Sequence, residues 1–314
     1  MFDFTSGPYT GVGTPQQSIG FPAMLDLESA REMMAQVPES TIFLGVDGSG
    51  QPITVDLDSE SPHILVNAST GGGKSVTARS VAAQVAAQGG LVVILDRKQH
   101  SHRWARDLKP NVSQALSPAE IGNALVQLGK ELHRRNAIVS KFRGPVEDAP
   151  VGPRIAVVFE EMNSTIRELK DLDKRLPEGN YRSFDAFKDV LLMGRAVKIH
   201  VIGAASLATY RDMGGAPIVE SFGTKILLRY SPQAWKWLAA DCGRPVSAPS
   251  EAGRGMTCYG GRAKETQLLH MTEDEVTEYI LASPKAQALA HHMSILRAPS
   301  IWRSAVRGLP RGRS

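Results

Sequence analysis

Eight residues, Ala68 to Ser75, have the types and spacing of a phosphate-binding loop. Their order is Ala68-Ser69-Thr70-Gly71-Gly72-Gly73-Lys74-Ser75, which fits the pattern Ala/Gly-x-x-x-x-Gly-Lys-Ser/Thr. Glycines let backbone N–H groups turn toward phosphates, and a helix beginning near Lys74 adds the positive end of its dipole. The lysine of such a loop binds the β- and γ-phosphates, and the next hydroxyl binds Mg²⁺. We therefore predict that residues 68–76, ending at Val76, bind ATP and Mg²⁺, with Ser75 as a metal ligand.

The segments on both sides of this loop support the same interpretation. The apolar stretch HILVN (63–67) precedes it, and an alanine- and valine-rich segment from Lys74 to Ala87 follows it. A strand, a glycine-rich loop and a helix in this order are the context that separates a true phosphate-binding loop from a chance match. Ala68 replaces the usual first glycine, which requires a less extreme backbone angle at that position.

A pair of acidic residues, Glu160-Glu161, follows the apolar stretch RIAVVF (154–159). The carboxyl ends of strands in open α/β sheets face the crevice in which ligands bind. One carboxylate there can hold Mg²⁺ through water, and the next can orient and deprotonate an attacking water. We predict that Glu160 is the metal-holding residue and that Glu161 is the catalytic base.

Other residues that could take part in binding or catalysis give weaker signals. Asp96 and Lys98 follow the strand LVVIL (91–95), where they either contact the edge of the site or cap a turn. His100 and His102 have no cysteine or carboxylate partners nearby in the sequence, so we interpret them as surface residues. The two cysteines lack the spacing of a zinc site or disulfide framework, which favours small buried residues.

Apolar strands alternate with helical segments from residue 63 onward, which predicts an α/β fold with a mainly parallel sheet covered on both faces. Beyond those already named, strands are expected at 198–205 and 224–230. A capping box at Ser117 begins a helix of about two dozen residues, and another at Thr272 begins a helix over 273–282. Upstream, residues 23–37 have helix-forming composition, and residues 41–57 are typical of a hairpin turning at Gly48-Ser49-Gly50.

Composition and charge limit the class of protein. The chain has 314 residues, 42% of them hydrophobic and 22% charged, enough for one large core or a core with a small appendage. The net charge of +4 suits an anionic partner and slightly favours nucleic acid. No apolar run approaches the roughly 20 residues that cross a bilayer, and no secretory signal is present, so we expect a soluble, cytoplasmic protein.

We divide the chain into an N-terminal arm and helix (1–40), a main domain (41–285) and a basic tail (286–314). Residues 1–20 are rich in Gly, Pro, Ser and Thr, which is typical of a flexible arm. Five arginines and no acidic residue lie between 297 and 314. Gly308 and Pro310 favour a disordered basic arm over a helix. This arm either contacts an anionic partner or only improves solubility.

Several blocks of residues, taken in order, resemble the FtsK/SpoIIIE DNA translocase motor. Together they cover roughly residues 41–280, and they are LGVDGSGQPITVDLDSESPHILVNASTGGGKSV, LVVILDRK, KELHRRNAI, VVFEEMN, GRAVKIHVIGAAS, FGTKILLRYS, EAGRGMTCYGG and QLLHMTEDEV. In the family these blocks correspond to the entry hairpin with the phosphate-binding loop, an Asp-Pro-Lys strand end, a charged helix, the acidic pair, the sensor strand, the Pro-Thr-Arg strand, a Gly-Arg-Gly turn and the block that closes the motor.

The resemblance implies a RecA-like P-loop NTPase core with a small leading hairpin and helix subdomain. It implies a ring-shaped homohexamer around double-stranded DNA, with ATP bound between neighbouring subunits. Short relatives occur on actinobacterial plasmids, integrative elements and phages, where they resemble plasmid-transfer motors. We expect the protein to lack the family's membrane-spanning region and its winged-helix reader. We therefore expect DNA loading to depend on the tail, the N-terminal arm or an unknown partner.

Three positions depart from the family's pattern. Glu160 replaces an aspartate, Ser206 replaces the sensor glutamine, and Lys225 replaces the arginine that is the family's candidate trans-acting finger. Lysine lacks the planar fork of arginine, and Arg195 or Arg229 could compensate for it. The resemblance therefore implies a catalytic set of Glu160, Glu161, Ser206 and Lys225.

The function expected from these observations is ATP hydrolysis that drives translocation of double-stranded DNA, of the transfer or segregation type. The three departures motivate one alternative, a nucleotide-gated DNA-binding or adaptor protein with weak or no hydrolysis. A related phage packaging or secretion-type ATPase is a second alternative. Nothing in the sequence resembles the lid or substrate-binding segments of a small-molecule kinase.

Overall fold

A mixed β-sheet forms the centre of the computed structural model, which describes residues 20–59, 62–206 and 209–295. Within these ranges the sheet has ten strands. In chain order they are β1 (Thr41–Val46), β2 (Pro52–Asp56), β3 (Ile64–Ala68), β4 (Leu91–Leu95), β5 (Val112–Ala115), β6 (Ile155–Phe159), β7 (Ile199–Ala205), β8 (Thr224–Leu228), β9 (Arg254–Tyr259) and β10 (Arg262–Leu268).

Helices connect these strands and cover the sheet. They are α1 (Leu27–Ala35), α2 (Lys74–Ala87), α3 (Pro118–Val139), α4 (Met162–Asp173), α5 (Ser183–Met193), α6 (Tyr210–Met213), α7 (Ala216–Glu220), α8 (Pro232–Leu238), α9 (Glu273–Leu281) and α10 (Pro284–Ile295). Short 3₁₀ helices lie at Arg103–Asp107, Val146–Asp148, Arg195–Val197 and Ala240–Cys242. None of the helices within the described ranges has the length and apolar character needed to cross a membrane.

Six neighbouring strands form the parallel part of the sheet, in the order β8-β3-β7-β6-β4-β5. Strands β3, β4, β6 and β7 are buried along their whole length, because helices pack on both faces. Strand β7 lies between β3 and β6. The phosphate-binding loop follows β3 and the acidic pair follows β6, so a single strand separates them. The predicted α/β fold with a mainly parallel core is confirmed.

The antiparallel part continues the same sheet through β9, β10, β1 and β2. The predicted hairpin at 41–57 is present as β1 and β2, and its pairing with β10 makes it the edge of the main sheet. The block EAGRGMTCYGG, which resembled a turn, contains the whole of β9. The turn itself lies at Gly260 and Gly261, whose φ angles of 55° and 72° lie in the left-handed region that favours glycine.

The predicted helix boundaries agree closely with the structure. Helix α2 occupies the predicted Lys74–Ala87. Both capping boxes are formed: Ser117 with Glu120 at the start of α3, and Thr272 with Glu275 at the start of α9. These reciprocal contacts satisfy backbone N–H groups that the first helical turn leaves without partners.

The predicted division of the chain needs one correction at its C-terminal end. Residues 284–295 form α10, and its Ala286 and Met293 are buried in the core. The stretch 286–295 therefore packs on the body of the protein instead of beginning a tail. The arginine-rich remainder and the N-terminal arm at 1–19 lie outside the described residues, and their roles stay predictions.

Helix α2 is held in place by buried polar contacts as well as by apolar packing. The Gln84 side chain exchanges two hydrogen bonds of 2.9 Å with the backbone of Phe43 in β1. The Arg79 guanidinium donates to the carbonyl of Met271 at 2.7 and 3.0 Å. Unpaired polar groups would be energetically costly when buried this deeply. These contacts therefore fix the helix relative to β1 and to the segment after β10.

Candidate nucleotide-binding site

The phosphate-binding loop connects the end of β3 at Ala68 to the start of α2 at Lys74. Gly71 and Gly73 have φ angles of 72° and 96°, in the left-handed region that favours glycine. A Cβ atom on Gly72 would lie 2.7 Å from the Ala68 Cβ, whereas one on Gly71 would meet open space. The loop thus forms a cradle bounded by backbone, as phosphate binding requires.

Lys74 lies inside this loop and is only 7% exposed. Its ammonium donates to the carbonyl of Ala68 at 2.9 Å and to that of Ser69 at 3.2 Å. Burial lowers the pKa of Lys74, while the charge of the nearby Glu161 opposes the shift. The predicted phosphate-binding lysine therefore faces the loop and lies near the predicted catalytic base.

The two adjacent glutamates have different surroundings. Glu160 is 1% exposed, whereas the Glu161 side chain keeps 18% exposure and accepts a 2.5 Å ion pair from the Lys98 ammonium. Glu161 takes a left-handed backbone conformation, with φ of 44°, immediately before α4. This turn separates the two carboxylates, so one is enclosed by protein and the other faces the open side of the site.

Glu160 is bound by a histidine that the sequence interpretation placed on the surface. The His102 Nε2 lies 2.7 Å from the Glu160 Oε1, and both side chains are almost fully buried. Burial favours the neutral carboxyl, but the hydrogen bonds from His102 and Ser75 outweigh it and hold the pKa of Glu160 below its usual value. The surface assignment of His102 was wrong because its partner lies 58 residues later in the chain. His100 is exposed, as predicted.

Asp96 and Lys98 fulfil both roles that the sequence left open. The Asp96 carboxylate accepts hydrogen bonds from the backbone N–H of Lys98 at 3.0 Å and of Ser101 at 2.9 Å, which caps the turn after β4. The Lys98 side chain reaches Glu161 and so contacts the site. A capped turn therefore positions a cation beside the predicted base.

Ser206 lies beside the start of α4, next to the acidic pair. Its carbonyl accepts a 2.8 Å hydrogen bond from the Asn163 side-chain amide, two residues after Glu161. Since β7 lies between β3 and β6, the end of β7 is a suitable place for a residue that responds to the nucleotide. The sensor role of Ser206 stays a prediction.

Lys225 is not gathered with these residues. In the sheet it pairs with Leu65 of β3. Lys225 lies three residues before Leu228, the last residue of β8, so it is about 10 Å from the edge of the sheet at which the loop lies. It lines a separate cleft with Tyr210 and Trp237. This position does not test a role in a neighbouring subunit, which stays a prediction.

The two arginines named as compensating residues lie in different places. Arg229 is exposed at the end of β8 and lines a cleft beside Gly71 and Val76. Arg195 is exposed on the 3₁₀ helix just before β7, at the opposite edge of the parallel strands. Arg229 therefore lies beside the predicted phosphate-binding loop, and Arg195 lies away from it.

The cleft beside the loop also contains residues that sequence reasoning missed. Arg254 and His270, from β9 and from the segment after β10, form its far wall. Strands β9 and β10 were not predicted, so nothing in the sequence interpretation connected these side chains to the loop. The block QLLHMTEDEV, which includes His270, was the available signal.

Known proteins match this chain at the level of sequence and of fold. Residues 42–132 match the family described as Helicase HerA, central domain. The DNA translocase FtsK of Haemophilus influenzae is 31% identical over 144 residues, or 43% of this chain and 26% of that protein. The DNA translocase FtsK of Halalkalibacterium halodurans is 24% identical over 309 residues, or 88% of this chain and 37% of that protein.

Among solved structures, the pCW3 conjugation coupling protein TcpA, in its monomer form with ATPγS, superimposes with a TM-score of 0.65. The two chains are 18% identical, and the match covers 84% of this chain and 75% of TcpA. At this identity the likeness establishes the fold alone, that of a RecA-like P-loop core. The chain spans well under half of the two curated translocases.

Proposed function

We propose that this chain, a motor domain of the FtsK/SpoIIIE type in sequence and fold, hydrolyses ATP to translocate double-stranded DNA. The supporting observation is the meeting of three elements at one edge of the sheet. The phosphate-binding loop follows β3, and the buried Glu160 and the more exposed Glu161 follow β6, which is separated from β3 only by β7. A merely structural turn would not need a buried carboxylate next to a second one facing the open side.

The residues present fit a magnesium nucleotide. The glycine cradle with Lys74 would hold the phosphates, and Ser75 with Glu160 would hold Mg²⁺. Bound Mg²⁺ would supply positive charge that stabilises charge developing on the phosphates. Glu161 would orient and deprotonate the attacking water, which is supported by the 18% exposure of its side chain and its ion pair with Lys98.

Double-stranded DNA is the proposed substrate, on the basis of the relatives named as DNA translocases and the net charge of +4. A motor that moves along any sequence should contact phosphates instead of base edges. The proposal includes a homohexamer with ATP between subunits, to which Lys225 would contribute from a neighbour. A cytoplasmic location and a loading partner of unknown identity complete the proposal.

One alternative keeps its own support. Ser206 and Lys225 are weaker substitutes for the family's glutamine and arginine, which favours a nucleotide-gated DNA-binding or adaptor protein with slow hydrolysis. A phage packaging or secretion-type ATPase shares the same fold, and a requirement for a capsid or channel would identify it.

ATP turnover with and without linear double-stranded DNA tests the proposal. We expect wild-type turnover to rise with DNA and to fall at least about 100-fold in Glu161→Gln, since the base is lost while nucleotide binding remains. Lys74→Ala should lose both turnover and nucleotide binding. Glu147→Gln, an exposed glutamate away from the site, is the matched control.

The outcomes separate the candidates. Nucleotide binding that disappears only in Lys74→Ala, without DNA-stimulated turnover in the wild type, would contradict translocation and favour the gated binding protein. Full turnover in Glu161→Gln would show that another residue activates the water.

A further inference from the structure

We propose that His102 is a positioning residue that holds the Glu160 carboxylate in the orientation needed to bind Mg²⁺. The inference rests on the proposed nucleotide site, and it assigns a role to a residue outside the phosphate-binding loop and the acidic pair. Its basis is a chain of hydrogen bonds from Trp104 through His102 to Glu160.

The contact between the two side chains is short and enclosed. His102 Nε2 and Glu160 Oε1 are 2.7 Å apart, and the side chains are 0% and 2% exposed. A hydrogen bond to a charged group is strengthened where water is excluded. The contact therefore restricts the rotation of the carboxylate more than an exposed pair would.

The indole of Trp104 decides which nitrogen of His102 carries the proton. Trp104 Nε1 lies 3.1 Å from His102 Nδ1, and an indole nitrogen can only donate. His102 Nδ1 must therefore accept, which leaves the proton of a neutral imidazole on Nε2. This tautomer donates to Glu160 and so orients the carboxylate.

The histidine itself is fixed by elements that do not belong to the loop. Its carbonyl accepts a 2.8 Å hydrogen bond from Gln114 in β5. The next residue, Arg103, lies 3.5 Å from the Glu273 carboxylate on α9, and Arg79 of α2 lies 3.6 Å from the other oxygen. The donor to Glu160 is thus anchored to the sheet and to a helix.

A glutamate at this position needs such support more than an aspartate does. Glutamate has one more rotatable bond, so its carboxylate has more orientations to lose when it binds a metal. His102 on one side and the nearby Ser75 hydroxyl on the other remove this freedom. Partners of this kind typically change metal affinity by about 10- to 100-fold when they are removed.

Binding of a fluorescent ATP analogue, measured with Mg²⁺ and with EDTA, tests this role without measuring turnover. The quantity of interest is the gain in affinity that Mg²⁺ produces. We expect His102→Leu to reduce this gain about ten-fold, because Glu160 loses its donor. His102→Gln places an amide N–H where Nε2 was, so it should restore most of the gain.

Two further variants make the test specific. Trp104→Phe keeps an aromatic ring but removes the N–H that fixes the tautomer of His102. The gain in affinity that Mg²⁺ produces in this variant should lie between the gains of the wild type and His102→Leu. His100→Ala changes an exposed histidine in the same loop, and it should match the wild type. Circular dichroism and thermal unfolding identify variants that have lost the fold.

Each outcome bears on one proposal. A wild type without any Mg²⁺-dependent gain would contradict the nucleotide site itself. A folded His102→Leu with an unchanged gain would overturn the positioning role. If His102→Leu does not fold, an unchanged gain in Trp104→Phe together with a reduced gain in His102→Gln would overturn it.

Discussion

At the residue scale, two adjacent side chains of the same type are given different chemistry by their surroundings. Glu160 is enclosed and accepts a hydrogen bond from His102, whereas Glu161 faces the open side and pairs with Lys98. The enclosed carboxylate is suited to a fixed metal position. The other is held only by an ion pair with a half-exposed lysine, which contributes little to keeping its orientation.

Replacing Glu160 by aspartate should lower the stability of the protein, although the FtsK/SpoIIIE motors that the sequence resembles have aspartate at this position. The carboxylate would retreat by one methylene and leave the His102 N–H buried without an acceptor. We expect Glu160→Asp to lower the free energy of unfolding by about 1–3 kcal/mol in denaturant titrations. Glu147→Asp, on the surface, should leave it unchanged. A Glu160→Asp variant as stable as the wild type would contradict this reading of the contact.

Local signals in the sequence predicted the loop but not the network behind it. The glycines, Lys74 and Ser75 are contiguous, so their pattern can be recognised directly. The partners His102 and Glu160 are 58 positions apart, and Lys98 and Glu161 are 63 apart. Only the sheet order brings such pairs together, which is why His102 was placed on the surface.

At the element scale, two buried histidines connect β3, β6 and β7 at the edge opposite the nucleotide site. His63, just before β3, accepts a hydrogen bond from the backbone of Val201 at 2.9 Å. His200 of β7 accepts from the Arg154 guanidinium at 2.6 Å, and Arg154 forms a bidentate pair with Asp58. Protonation of either histidine would break these contacts.

The stability of the protein should therefore fall in mild acid. Burial lowers the pKa of His63 from 6.5 to about 4, and burial with the charge of Arg154 lowers the pKa of His200 well below its usual value. Between pH 6.5 and 4 these two histidines bind protons in the unfolded chain but remain largely unprotonated in the folded chain. The free energy of unfolding therefore decreases as the pH falls. His63 alone should account for about 3 kcal/mol between pH 8 and pH 4.

Denaturant titrations across this pH range measure the effect. A His63→Asn variant should show a shallower decrease than the wild type, since one titrating group is gone. His133→Asn, on the exposed face of α3, should reproduce the wild-type slope. Equal slopes for the wild type and His63→Asn would contradict the assignment.

The elements predicted from sequence were those with a local signature. Apolar runs marked β3, β4, β6, β7 and β8, and capping boxes marked α3 and α9. Strand β5 has only four residues, and β9 and β10 are bordered by glycines and contain polar positions facing solvent. Their identity depends on pairing with distant strands, which no local pattern encodes.

At the scale of the whole molecule, the charge of +4 predicts binding to DNA that depends on salt. Each phosphate contact should contribute about −0.9 to the slope of log affinity against log salt. If the five arginines after residue 296 contact phosphates, deletion of 296–314 should reduce the magnitude of this slope by up to about 4.5. Fluorescence anisotropy with labelled duplex DNA at several salt concentrations measures it.

Deletion of residues 1–19 is a matched control, because that segment has the same length and contains no lysine or arginine. It should leave the slope unchanged. An unchanged slope after loss of 296–314 would assign the arginine-rich segment a role in solubility instead of DNA binding.

The attachment of α2 to β1 and to the segment after β10 has a mechanical consequence. The helix begins at the phosphates' proposed position, and its middle is joined to β1 by Gln84 and to the segment after β10 by Arg79. We therefore expect a shift of this helix along its axis to displace β1 and the segment after β10 as well, which would couple the loop to the antiparallel side of the sheet.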